Sequence, residues 1–287
     1  MNKSTSSRRF IVQRVGYVGL TILAFLTILP IVLVLLFILK QGLPAISLEF
    51  ITGFPSEGMR AGGILPAIIG TLYLTIGTAI FAVPLGIGAA IYLSEYSADN
   101  GWTRAIRIAI INLAGIPSVV YGLFGLGLFV IFLHFGTSIL AGSLTLAIMT
   151  IPVIISTAEE ALRSVPQSFR VVSISLGATR WQTIKRIVLP QALPGILTGV
   201  ILGLERAAGE TAPILFTVAA FFLPRLPNSP LDATMALPYH LFVISTQVPG
   251  MPIQIQYGTA LVLIFFVLSM NLIAAVIRSR ARARRQW

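Results

Sequence analysis

RSVPQSFRVVSISLGATRWQTIKRIVLPQA, residues 163–192, is the stretch that decides the architecture. It is polar and cationic, and it lies between two apolar runs, about 138–162 and 193–223, each longer than the roughly 20 residues needed to span hydrocarbon. Ser164-Val165-Pro166-Gln167 has the spacing of a capping box, with Pro166 in the first turn, where its missing N–H costs little. Phe169, Val172, Ile174 and Leu176 then predict a short amphipathic helix ending near Gly177. Thr179-Arg180-Trp181-Gln182 repeats the capping spacing and predicts a second helix through Ile187, stopped before Pro190. Two capped short helices meeting at a glycine make a compact protrusion, and its apolar tip needs a protein partner.

Outward from this segment the chain is a series of apolar runs. Of its 287 residues 56% are hydrophobic and only 10% charged, against about 25% charged in a soluble domain. No single soluble core hides that much apolar surface, so the class is all-α integral membrane. Qualifying runs lie at about 17–39, 64–93, 106–133, 138–162, 193–223 and 257–277, which predicts six transmembrane helices. Lys3, Arg8, Arg9, Arg14, Arg104, Arg163, Arg170, Arg180, Lys185, Arg186, Arg278, Arg280, Arg282, Arg284 and Arg285 fall on one side, with Arg107 at the same boundary. Lys40, Arg60 and Arg225 fall on the other. The positive-inside rule places 163–192 and both termini in the cytoplasm. The net charge of +11 is therefore a topology signal, not a nucleic-acid footprint.

The predicted organisation is a basic inner N-terminus (1–16), a first span (17–39), an outer loop (40–63), a five-span core (64–277) with the inner loop 163–192 and an outer loop 224–256, and a basic inner tail (278–287). The first run is too long for the 7–15-residue core of a signal peptide and reads as a retained signal anchor. The outer loops are rich in Pro and Gly and predict ordered turns, not further spans. Pro84 with Gly86 and Gly88, and Pro117 within Ala114-Gly115-Ile116-Pro117-Ser118, predict breaks in spans two and three that face protein or a cavity. Gly195, Gly199, Gly203 and Ala207 recur every four residues and predict close helix packing along span five.

Span five also carries Glu205-Arg206-Ala207-Ala208-Gly209-Glu210-Thr211-Ala212-Pro213. An Arg inside a membrane span costs at least ~2.5 kcal/mol unless paired or wetted. Glu210, four residues on, shares a helical face with Arg206, whereas Glu205 points about 100° away. The bland reading is an ion pair that locks helices. The functional one is a gated guanidinium that meets an oxyanion, whose geometry suits bidentate hydrogen bonds. Ser118 and Tyr121, beside the span-three break, are further candidates for lining the pathway, or else packing hydroxyls. Glu159, Glu160 and Arg163 have the spacing of a surface-anchored salt bridge.

Gly177, nine residues, then Ile187-Val188-Leu189-Pro190 resembles the cytoplasmic loop of ABC importer permeases. The E-A-A that opens that loop in the family here reads Val171-Val172-Ser173, without its carboxylate. Arg206-Ala207-Ala208-Gly209-Glu210-Thr211-Ala212-Pro213 resembles a signature of the PstA family of phosphate-importer permeases. Gly62-Gly63-Ile64 through Pro66-Ala67-Ile68, Ile91-Tyr92-Leu93-Ser94-Glu95-Tyr96 and Ile116-Pro117-Ser118-Val119-Val120-Tyr121-Gly122 agree with it in order. The resemblance implies the type I, MetI-like permease fold in the bacterial cytoplasmic membrane. It also implies a heterodimer with a PstC-like permease, two PstB-like ATPase subunits holding ATP and Mg, and a PstS-like phosphate-binding protein outside. The candidates for the substrate pathway are then Arg206, Glu210, Glu205, Thr211, Ser118 and Tyr121. The resemblance assigns ATPase coupling to Pro166, Phe169, Arg170, Leu176, Gly177, Ala178, Thr179, Trp181, Ile187, Leu189 and Pro190.

Other classes fit less well. Lys3, Lys40 and Lys185 are the only lysines, and none follows a glycine as a phosphate-binding loop requires. ATP must therefore be hydrolysed on another subunit, and no cofactor is expected on this chain. Without cysteine, and with His134 and His240 far apart, no metal set emerges. A secondary transporter has no use for the paired-helix protrusion, a channel would show a pore loop or charge ring, and an enzyme would show a nucleophile or base. A permease for sulfate, molybdate or phosphonate shares the loop and is the main competitor.

Overall fold

The computed structural model describes residues 3–283; residues 1–2 and 284–287, the extremities of the two basic segments, lie outside it. Twelve α-helices account for most of the described chain. Five of these helical stretches are long and apolar enough to cross a membrane, and a sixth span arises if a bent helix pair counts as one. They begin with α1 (Lys3–Gly42), longer at both ends than the apolar run alone suggested. From Gln13 to Lys40 its side chains are almost all exposed, as befits a helix that is apolar all round and packs on little besides the last helix. At its outer end come a short α2 (Leu48–Thr52), capped by the Ser47 hydroxyl, and a two-residue hairpin of β1 (Pro55–Ser56) and β2 (Ala61–Gly62).

The core is a three-helix layer. In it α6 (Ile139–Arg163) lies between α3 (Leu65–Ile91) and α9 (Leu189–Gly209). Small residues set the spacing. A Cβ on Gly199 would meet Thr157 Oγ1 at 1.7 Å, and one on Gly195 would meet Ala161 Cβ at 2.5 Å. The four-residue stripe on span five is thus the seam against α6, as its period predicts. On the opposite side Gly77 admits Ser143 and Gly86 admits Ile154. The last helix, α12 (Ile253–Ala283), packs on α1 and α9, with Gly42 closely abutting the Tyr257 backbone.

Two apolar runs, spans two and five, fold differently from the sequence expectation, whereas span three breaks at Pro117 as expected. Pro84 does not interrupt span two: α3 runs unbroken through it, and the irregularity comes later, as a π-helical turn at Tyr92–Tyr96. Span three is an elbow. α4 (Gly101–Ala114) meets α5 (Ser118–Gly125), which continues as a π-helical stretch to Phe132, at 99°. Pro117, extended at ψ 139°, makes the corner, and the Tyr121 hydroxyl donates to the Leu113 carbonyl across it at 2.7 Å. Span five ends at Gly209. A short α10 (Ala212–Thr217) follows, with Pro213 in its first turn, and residues 218–236 are irregular but anchored. Their carbonyls at Pro230 and Asp232 accept from Leu140 and Ile139, and Thr234 bridges to Ala219. Backbone groups so satisfied by protein tolerate an apolar setting without a spanning helix, and this is why hydropathy overran the true helix end.

The loops expected to lie outside, 40–63 and 224–256, are ordered and joined. Arg60 donates through Nε and Nη2 to the Pro249 carbonyl at 3.1 and 2.7 Å, tying the hairpin to the loop between α11 (Leu237–Thr246) and α12. At the hairpin tip Glu57, Gly58 and Met59 all take positive φ, a costly conformation for Glu and Met. Burial of Met59 in the main core offsets it.

Candidate functional site

The segment 163–192 forms the expected protrusion with two corrections. Ser164 does not N-cap the next helix: it is the C-cap of α6 and its hydroxyl donates back to the Ala161 carbonyl, while the extended Pro166 opens α7 (Gln167–Ser175). Gly177, at φ 86°, makes the corner, a conformation open to glycine at little cost. Thr179 and Gln182 then close a full capping box on α8 (Arg180–Thr183). The second helix does not stop before Pro190. It passes through a π-helical turn, Ile184–Val188, straight into α9, and this wider turn sets Pro190 in a first-turn position that tolerates a ring. The Ser173 and Thr183 hydroxyls meet at 2.8 Å and clamp the two helices together.

The coupling candidates divide by burial. Phe169 and Leu189 pack towards the inner core cluster, with Ile187 and Ala178 half-buried. Leu176, 83% exposed, and Trp181 project from the tip, joined by Val171, Val172 and Ile174. Arg170 does neither. Its guanidinium forks onto Glu95 of the π-helical turn, Nη2 to Oε1 at 2.6 Å and Nε to Oε2 at 3.1 Å, and also donates to the Val165 and Leu162 carbonyls. Arg180 stacks its guanidinium 5.2 Å from the Tyr96 ring centre. Glu159 is not a surface-anchored partner but a buried hub, 2.8 Å from Arg107 and 2.9 Å from Arg163.

The charged candidates of span five sit at the far end of α9, in its last turn. Arg206 Nε lies 3.2 Å from Glu210 Oε1, and the Arg206 side chain is 38% exposed. Glu210 stands beyond the helix end in an extended conformation, with Thr211 between it and α10. Tyr121 falls within the electrostatic reach of Arg206, and Gly122 seats against Ala212 and Pro213, so the α5 corner and the helix break are one site. Ser118 opens α5, half-buried. Glu205 is not part of it. It turns to the last helix, hydrogen-bonded to Asn271 and beside Arg278, as its 100° offset from Arg206 requires. Among the described residues no group of three or more His, Asp or Glu could hold a metal ion.

Residues 82–284 match the family model described as binding-protein-dependent transport system inner membrane component. The chain belongs to that family. It is a multi-pass integral membrane protein and a transport subunit, not an enzyme. It is 36% identical over 252 residues to the probable ABC transporter permease protein YqgI of Bacillus subtilis, covering 83% of this chain and 85% of that one. It is 38% identical over 227 residues to the phosphate transport system permease protein PstA 1 of Mycobacterium tuberculosis, covering 79% and 73%. Its fold matches a permease chain of a bacterial ABC transporter involved in the import of the acidic polysaccharide alginate, with TM-score 0.67 at 17% identity over 97% of this chain and 99% of that one.

Within this permease, the sequence announced the Glu159–Arg163 pair but not the bond from Arg107 to Glu159 or the one from Arg170 to Glu95. Glu95 lies in the stretch Ile91–Tyr96, and no spacing rule connects it to Arg170 across 75 residues. The signal that could have found both buried pairs is charge economy. Acids are scarce here, so each one near an inner span end needs a cation.

Proposed function

We propose that this permease moves inorganic phosphate into the cytoplasm by alternating access, with Arg206 in the pathway and Glu210 as its gate. The observation that carries the reading is the Arg206–Glu210 pair at a helix break, with the guanidinium open to one side. A bidentate donor suits a phosphate oxyanion. A carboxylate that holds the guanidinium between passages keeps the site neutral and stops phosphate from being trapped too tightly. The likeness to permeases named for phosphate transport supports the same substrate.

In this reading Thr211, Tyr121 and Ser118 border the passage. The exposed tip at Leu176 and Trp181 docks into an ATPase subunit that holds ATP and Mg, because this chain has no phosphate-binding loop. A PstC-like permease completes the pathway, two PstB-like ATPases drive it, and a PstS-like protein delivers phosphate to the joined outer loops. Both termini then lie in the cytoplasm of a bacterial cell, with the chain in the cytoplasmic membrane.

The test is uptake of labelled orthophosphate by cells lacking the gene, complemented with wild-type chain or Arg206→Gln, with sulfate as competitor. Rescue by wild type alone, indifferent to sulfate, supports the reading. Absence of rescue, or rescue blocked by sulfate, refutes the substrate.

A further inference from the structure

We infer that Glu95 is a positioning residue for energy transfer, the anchor through which the loop 163–192 moves span two. The loop 163–192 holds no carboxylate of its own, yet its Arg170 is not left without one. Glu95 comes to it from the π-helical turn that follows α3, and the two form a fork with bonds of 2.6 and 3.1 Å. The pair is shielded, with side-chain exposures of 14% for Arg170 and 7% for Glu95, and a forked, shielded pair resists shear far better than an exposed single contact.

Local structure explains why Glu95 points this way. In the π-helical turn Tyr92–Tyr96 the Ser97 N–H bonds back five residues to the Tyr92 carbonyl, which rotates the chain end out of the α3 register. Glu95 thereby faces α7, and Tyr96 lies under Arg180 of α8. Each helix of the loop thus places one arginine on the same turn. Ser94 adds a hydroxyl to Glu95 Oε1 at 3.2 Å, and Arg107 donates to the Leu93 carbonyl at 3.0 Å, so the turn is held from a third side. A π-helical insertion in an otherwise regular helix is frequently found at functional positions.

From that turn α3 runs 27 residues without interruption, roughly 40 Å at 1.5 Å per residue. At its other end Thr71 and Thr75 line the same small cavity as Glu210. The Thr71 hydroxyl also accepts the Leu237 N–H at 2.8 Å, fastening the segment that lies over that cavity. A push on the loop therefore reaches the Glu210 end through one rigid helix, provided that the Arg170–Glu95 fork transmits it. This inference rests on the transport reading above, though not on the identity of the substrate.

The test uses the full transporter reconstituted in liposomes. The chain has no cysteine of its own, so a spin-label pair at Ile80→Cys on α3 and Phe265→Cys on α12, both outward-facing, is the only pair on this subunit. The wild type shifts this distance on trapping with ATP and vanadate. Glu95→Gln is expected to assemble and to hydrolyse ATP within about twofold of wild type, yet lose the distance shift and transport about tenfold less orthophosphate per ATP. Glu95→Asp, which keeps the charge but shortens the reach, falls between. In the double variant Glu95→Gln with Arg170→Gln, the loss of transport per ATP equals that of the worse single variant, because both remove one link. A Glu95→Gln protein that keeps both the distance shift and the ratio overturns the inference, as does strict additivity in the double variant. If the wild type moves no phosphate but still shifts its label distance, the substrate reading fails while this inference is judged on the distances alone.

Discussion

The Glu210 carboxylate reaches Arg206 from beyond the end of α9: Oε1 lies 3.2 Å from Nε, while the Glu210 backbone is extended at φ −75° and ψ 135°. The pair has the sequence spacing of a helical salt bridge but not its geometry. The carboxylate sits in the break between α9 and α10, so the proposed gate would open or close as α10 moves against α9. Arg206, by contrast, is fixed to a rigid helix.

That asymmetry predicts how removal of the acid differs from removal of the base. Glu210→Gln leaves Arg206 unmasked, so an anion competes with nothing and leaves slowly. Apparent KM for orthophosphate should fall severalfold and kcat should fall with it, the pattern of tighter ground-state binding. Initial rates of labelled uptake across a concentration series separate the two constants. A Glu210→Gln variant with raised KM and unchanged kcat would sink the gating role.

Packing along the α6–α9 seam makes a sharper structural prediction. Gly199→Ala places a methyl 1.7 Å from Thr157 Oγ1, a clash that demands backbone movement. Overpacking of this kind costs roughly 1–3 kcal/mol. Thermal melting of the detergent-purified protein should drop accordingly, and Gly199→Ala combined with Thr157→Ala should recover only part of the loss, because the Thr157 Cβ, 2.6 Å from the new methyl, remains. Gly127→Ala, where no atom lies within 4 Å, serves as the neutral control.

How much of this was readable beforehand depended on the range of each signal. The Gly195, Gly199 and Gly203 stripe and the Thr179 box lie within one or two helical turns, so period and capping chemistry announced them. The end of α9 did not announce itself. Residues 212–223 are as apolar as the helix before them, and hydropathy registers burial, not the Pro213 geometry that starts a new helix. Arg206 and Glu210 were found because charge is conspicuous in a span. The fork between Arg170 and Glu95 escaped, because tertiary contact across 75 residues leaves no local period.

The tip of the 163–192 protrusion predicts a clean separation of folding from assembly. Leu176 is 83% exposed, next to a glycine corner with open space around it. Leu176→Asp therefore leaves the melting temperature of this chain unchanged within error. In a docked complex the same carboxylate would be forced into an apolar groove without a partner, which costs several kcal/mol. Co-purification of ATPase subunits with tagged Leu176→Asp should fall at least tenfold. Undiminished co-purification would place the ATPase contact elsewhere on the loop.

His240 predicts an acid limit on stability. It lies on α11, in the loop between the last two spans, only 2% exposed and with Nδ1 unpartnered. Desolvation lowers its pKa from 6.5 to about 4. A depressed histidine pKa means that the unfolded chain binds a proton which the folded chain refuses. Stability attributable to this residue is thus intact above pH 6.5, erodes as pH falls, and levels off below about 4. Integrated over that window, the loss is on the order of 3 kcal/mol. His240→Leu fills the same volume without a titratable nitrogen. Melting temperatures of wild type and variant should run parallel above pH 7 and diverge between pH 6.5 and 4, with the variant higher. Parallel curves throughout would mean that water or a rearranged α11 reaches the imidazole and lets it charge in the folded state.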